Sequence, residues 1–150
     1  TVAVFGASER PGRVGTTVWR NLHAQFPGRL YPVNPRHRTL DGVAAYASVK
    51  ALPEAPDLAV ICTPANTVVQ LIEQLGERGT RAAIVVTAGL DKATQQAMLR
   101  AARDYGELAG YQIGFKPAGG LKTAKECFIQ VIFQVGCQYH HSREILNALE

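Results

Sequence analysis

The residues best placed to do chemistry lie in one decapeptide, Gly6-Ala7-Ser8-Glu9-Arg10-Pro11-Gly12-Arg13-Val14-Gly15, which joins a short apolar run to an amphipathic stripe. Small residues at both ends of such a loop let the backbone approach a phosphate, and the amino end of the following helix offers unpaired N–H groups to receive it. Ser8 has no base beside it in sequence to make it a nucleophile, so the loop reads as a binding element. Its spacing is not the dinucleotide pattern. The second apolar run ends in Pro32-Val33-Asn34-Pro35, where an NAD domain would place an acid for the ribose hydroxyls. An anionic ligand other than NAD is expected.

The remaining reactive side chains give weaker signals. Cys62, Cys127 and Cys137 are an odd number at spacings that suit neither a zinc site nor a redox pair, so reduced thiols in a cytoplasmic protein are expected. His140 and His141 are adjacent, which directs their side chains apart, and no metal site is expected. Trp19 and the tyrosines are scattered and form no stacking platform, which argues against nucleic acid as a partner. Sixteen Lys and Arg against twelve Asp and Glu give a net charge of +4, a mild excess without a basic run that fits an ordinary solvated surface or favours an anion. The apolar stretches Ala82 to Val86 and Phe128 to Phe133 are too short to span a bilayer, so no membrane association is expected. Thr1 in place of Met points to an upstream residue or segment.

The elements that must position the loop follow from periodicity. Val2 to Phe5 reads as a strand, and Val14, Val18, Leu22 and Phe26 recur at helical spacing after it. Leu30 to Val33, Leu58 to Cys62 and Ala82 to Val86 are further strands, apolar on both faces as buried parallel strands are. Val68, Leu71, Ile72 and Leu75 form a helical stripe that Gly79 can end; Asp91 can cap another helix through Met98 and Tyr105, with Gly106 as its stop. Ile113 to Phe115 is expected as a fifth strand. Thr123 and Glu126 make a capping box for a helix carrying Phe128, Val131, Ile132 and Val135 and closed by Gly136, and Ser142 can start a terminal helix. Residues 36 to 56 form the one long connection, with a short extra strand expected near Val43 to Tyr46.

This alternation predicts an α/β fold: a Rossmann-like three-layer sandwich around a parallel five-stranded sheet in the order 3-2-1-4-5, counting strands along the chain, with Ile113 to Phe115 beside Ala82 to Val86. At 150 residues the chain has material for one core, so a single domain over 1–150 is expected. Ligands of such sheets sit beyond the carboxyl ends of the strands.

Four blocks in order, GASERPGRVG, YPVNPRH, DLAVICTPA and AAIVVTAGL, resemble the amino-terminal CoA-binding domain of nucleoside-diphosphate-forming acyl-CoA synthetases and the related protein lysine acetyltransferases, over about two-thirds of the chain. The resemblance implies that CoA lies across the strand carboxyl ends. It would touch Gly6, Ala7, Ser8 and Pro11, with Gly12 and Gly15 in the same loop, then Asn34, Pro35 and Arg36, then Thr63, Pro64 and Ala65, and finally Thr87, Ala88 and Gly89. Arg36 offers a planar, permanently charged donor set suited to a phosphate, and Pro64 can stiffen a loop lining a groove. The same Gly and Pro residues could instead simply make tight turns.

The stretch Tyr111 to Lys125, YQIGFKPAGGLKTAK, resembles a different family, the seventh strand and following loop of the deoxyribose-phosphate aldolase barrel, with matching residues from about Arg103. By that resemblance Lys116 matches the second active-site lysine, and Gly119 and Gly120 are candidates for phosphate binding. The nucleophilic lysine and the proton-transfer acid of that chemistry lie on barrel segments with no counterpart here. Lys116 otherwise reads as a strand-end lysine reaching solvent. The two resemblances together suggest a chimeric or engineered hybrid whose carboxyl-terminal strand-loop-helix unit spans about 103–136. The expected function is non-catalytic binding of CoA or another adenine nucleotide, with no cofactor required for folding. A scaffold without a ligand and a phosphate-binding aldolase remnant stand as alternatives; oligomeric state is left open.

Overall fold

A computed structural model describes residues 1–105, 108–114 and 127–134. Four parallel strands form its centre: β1 (Val2–Phe5), β2 (Leu30–Val33), β5 (Leu58–Ile61) and β6 (Ala82–Ala88). Between β2 and β5 lie the small antiparallel hairpin β3 (Thr39–Leu40) and β4 (Val43–Ala44) and a 3-10 turn at Val49–Ala51. Helices α1 (Val14–Gln25), α2 (Ala65–Glu77) and α3 (Lys92–Arg103) connect or follow the strands. Strands β7 (Leu108–Gly114) and β8 (Cys127–Gln134) complete a six-stranded sheet in the order β2-β1-β5-β6-β8-β7.

The central strands are apolar on both faces because both faces are covered. Val2 and Val4, Leu58 and Val60, and Ala82, Ile84 and Val86 pack with Val18, Trp19 and Leu22 of α1. The alternate residues Ala3 and Phe5, Ala59 and Ile61, and Ala83 and Val85 pack with Val68, Ile72 and Leu75 of α2 and with Met98, Ala101 and Ala102 of α3. The expected three layers follow from this period of two. Gly79 ends α2 as expected: its N–H donates to Gly76 O while the Thr80 N–H donates to Leu75 O, the paired bonds of a Schellman stop.

The strand order corrects the expectation. Counting along the chain, 3-2-1-4-5 placed Leu58–Ile61 outside β2, but that strand pairs directly with β1 and with β6 and lies in the middle of the sheet. All four of its residues are buried, as a central strand requires. The outer side of β2 is instead touched by a single parallel bridge from Tyr46 to Val33, with Tyr46 N–H donating to Pro32 O and Asn34 N–H donating to Tyr46 O. Pro32 directs its missing donor to that outer side, so β2 suits an edge better than an interior position. The extra strand expected near Val43 to Tyr46 corresponds to β4 and this bridge.

The second correction concerns the carboxyl-terminal part. The helix expected across Phe128, Val131 and Ile132 is strand β8, which pairs antiparallel with β6 and so separates it from β7. The fifth strand, expected at Ile113 to Phe115, begins at Leu108 and runs in the same direction as β6 but one place further out. An eight-residue segment is too short for periodicity to separate helix from strand, and the β-branched and aromatic content of CFIQVIFQ favours the strand. Lys116, Gly119, Gly120, Thr123, Glu126, Val135, Gly136 and the terminal helix expected from Ser142 fall outside the described residues.

Candidate functional site

At the carboxyl end of β1 the chain turns at Gly6, whose φ is +81° and whose missing Cβ would stand 2.9 Å from the Cys62 carbonyl oxygen. The loop then returns so closely that a Cβ on Gly15 would lie 1.9 Å from Gly6 O. Glycine at 15 is what lets the first turn of α1 sit on the strand end. Three short bonds hold the loop between these points. Arg10 N–H donates to Ser8 Oγ at 3.1 Å, Thr16 Oγ1 donates to Arg10 O at 2.6 Å, and Asn34 Nδ2 donates to Ala7 O at 2.8 Å. Asn34 also accepts from Arg36 N–H through Oδ1 at 2.9 Å. One end of its side chain donates and the other accepts, a combination an aspartate could not supply.

Two helix amino ends meet in this region. Arg13 precedes α1 and Pro64 precedes α2; neither supplies a side-chain cap, and neither helix has an acid in its first turn. The turn into α2 is set by threonines. Thr87 Oγ1 donates to Thr63 O at 2.9 Å, and Thr67 Oγ1 lies 2.7 Å from Pro64 O and 2.8 Å from Thr63 Oγ1. A hydroxyl has one proton, so Thr67 donates to the carbonyl and accepts from Thr63.

These elements enclose an open cleft of about 810 Å³ across the ends of β1, β2, β5 and β6. Of the expected contacts, Gly6, Ser8, Gly12, Gly15, Asn34, Pro35, Arg36, Thr63, Pro64 and Thr87 line it. Ala7, Pro11, Ala65 and Gly89 are not part of its wall, although Ala7 offers its carbonyl to Asn34, and Ala88 is the last residue of β6. Arg10, Arg13 and His37 also line the cleft, as do Ser48, Thr67, Gln70 and Gln74. Among the described residues the wall holds three arginines and no Asp or Glu. A phosphate there meets fixed cations and helix-end N–H groups with no opposing carboxylate in the wall.

Residues 1–113 match the family described as CoA binding domain. The chain belongs to the CoA-binding domain family. It is 42% identical over 92 residues to the ADP-forming acetate–CoA ligase I of Archaeoglobus fulgidus, covering 61% of this chain and 13% of the ligase. The subunit alpha of the ADP-forming acetate–CoA ligase II of Pyrococcus furiosus is 39% identical over 95 residues, covering 63% of this chain and 21% of that subunit. Among solved structures, the dinucleotide-forming acetyl-coenzyme A synthetase 1 of Ca. Korarchaeum cryptofilum in complex with phosphate and ADP superposes with a TM-score of 0.66 at 34% identity, over 69% of this chain and 24% of that one. The chain thus spans a small part of the relatives it matches.

The strand-end loops named from the sequence line much of the cleft, whereas most of its side wall on α2 was not named. Thr67, Gln70, Leu71 and Gln74 are spaced three and four apart on α2 and line one side of the cleft. That spacing was visible in the sequence. Arg10 and Arg13 stand inside the Gly6 to Gly15 loop but were not among the expected contacts, although their charge was a signal that could have named them.

Proposed function

We propose that this chain binds CoA in the cleft, with a phosphate against the amino end of α1 and within reach of Arg10, Arg13 and Arg36, and that it does so as a non-catalytic module. The observation that carries the reading is a cleft wall with three arginines and no acid, fed by two helix amino ends without side-chain caps. Family membership over residues 1–113 supports CoA as the ligand over other anions. ADP is the nearest alternative ligand, since it presents the same diphosphate. Asn34 stands at the end of β2 with its side chain committed to Ala7 and Arg36, which disfavours NAD.

The absence of a catalytic role belongs to the same proposal. The segment shared with the matched relatives is 13% of the one ligase and 21% of the other's subunit, too small a share to carry their activity over to this chain. A cytoplasmic location is proposed from the expected reduced thiols alone. A hybrid origin for the carboxyl-terminal unit rests only on the resemblance of about Arg103 to Lys125, centred on YQIGFKPAGGLKTAK. The family match runs on through residue 113, ten residues past the expected join near Arg103, so any join lies later.

Titration calorimetry with CoA, ADP and NAD on the wild type, Gly6→Val and Arg36→Ala tests the ligand. CoA is expected to bind more tightly than NAD. Gly6→Val should obstruct the approach of phosphate, and Arg36→Ala should cost about 1 to 3 kcal/mol of binding, the worth of a charged hydrogen bond. Tighter binding of NAD than of CoA would overturn the assignment, and no binding of either would favour a scaffold.

A further inference from the structure

Glu9 is out of place electrostatically. It sits between Ser8 and Arg10, which both line the arginine-walled cleft, and a carboxylate there lowers the attraction of the cleft for an anion. Its geometry gives it another task. Glu9 Oε1 accepts from the backbone N–H of Asp41 at 2.8 Å, in the tight turn between β3 and β4. Asp41 is the one non-glycine residue with a positive φ, +46°, among the described residues. From that turn its Oδ2 accepts from the indole N–H of Trp19 at 2.7 Å, and Trp19 is fully buried in α1. The hairpin is thereby anchored on the helix and reaches over to the loop. Two residues earlier in the same loop, Asn34 Nδ2 donates to Ala7 O.

We propose that Glu9 and Asp41 are positioning residues for the ligand loop, a clamp through which the β3-β4 turn holds Ser8 to Gly12 in the shape that receives an anion. Asp41 fits the left-handed turn better than most residues because its short polar side chain tolerates that conformation, and here the side chain is also fixed by Trp19. A loop ordered before binding loses less freedom when the ligand arrives, so the clamp raises affinity without touching the ligand. The inference rests on the proposed CoA reading for its affinity arm and on the fold alone for its exchange arm.

Two substitutions at Glu9 separate the clamp from simple charge. Glu9→Gln removes the charge and keeps an oxygen acceptor; Glu9→Ala removes both. Charge alone predicts that both variants bind CoA more tightly. The clamp predicts that E9Q binds as well as the wild type or better, whereas E9A loses about threefold to tenfold in affinity, the effect of one hydrogen bond. Hydrogen exchange of the Ser8 to Gly12 amides, measured without ligand, should quicken in E9A and not in E9Q. Asp41→Gly, which keeps the backbone donor but loses the Trp19 anchor, should quicken the same amides while leaving those of α3 unchanged. Equal tightening in both Glu9 variants, equal weakening in both, or unchanged exchange in E9A would overturn the clamp. If the wild type binds no CoA, the ligand reading fails, and the exchange contrast between E9A and E9Q still decides the inference.

Discussion

The amino ends of α1 and α2 differ from that of α3 in one respect that separates binding from stability. At α3, Asp91 caps the helix, its Oδ1 accepting from Thr94 N–H at 2.7 Å, and those backbone bonds hold its carboxyl below the usual carboxylate range. The helix satisfies itself and faces no part of the cleft. At α1 and α2 the capping positions are Arg13 and Pro64, which accept nothing from the helix through their side chains. A cap is worth about 0.5–2 kcal/mol to a helix. Two helices in this small sheet forgo it where they meet the cleft, and the third keeps it away from the cleft. The contrast teaches that the helix ends left without a side-chain cap are the two that meet the cleft.

The strongest way to break the comparison is to remove the contact that puts α1 on the strand end. Gly15→Ala would force a Cβ against Gly6 O, a backbone atom with little freedom to move. A loss of about 1–3 kcal/mol in denaturant unfolding and loss of CoA binding in calorimetry are expected. Wild-type stability in this variant would show that the close approach is not required.

Converting one kind of helix end into the other sharpens the comparison. Arg13→Asp gives α1 the cap that α3 has and removes a cation from the cleft. Stability should rise by about 1 kcal/mol while CoA affinity falls on the order of tenfold or more. Denaturant unfolding and calorimetry on the same preparation would check the opposite signs. A fall in both would mean that Arg13 supports the fold.

Of the fold, the layers and the central strands were legible because burial on both faces writes continuous apolar runs, and α3 was legible because Asp91 caps it and Gly79 closes the helix before it. The order of the strands was not. Nothing in DLAVI says which neighbour it takes; the deciding features are the outward-facing gap at Pro32 and the Tyr46 bridge, both tertiary. The CFIQVIFQ segment misled because so short a run of Phe, Ile and Val suits two turns of helix and eight residues of strand alike. In the site, the glycines and Arg36 announced themselves by type. Gln70 and Gln74 did not, since an amide on a helix becomes a wall residue only when a cleft opens beside it.

Salt and pH test the two kinds of helix end with smaller effects. CoA affinity should fall on the order of tenfold as the screening length drops from about 10 Å at 0.1 M salt to about 3 Å at 1 M. A flat salt response would argue against the arginine wall. At α3 the folded carboxyl of Asp91 titrates below its unfolded value, so its contribution is present above about pH 4 and is lost as pH falls through the lower folded value. Asp91→Asn should therefore flatten the acid limb of the melting temperature and leave CoA binding at pH 7 unchanged.

The most direct measurement is a structure of the chain crystallised with CoA. The account predicts a phosphate of the ligand at hydrogen-bond distance from backbone N–H groups between Gly12 and Gly15, with an arginine of the cleft wall beside it. CoA phosphates seated away from α1, or CoA lying outside the cleft, would contradict it.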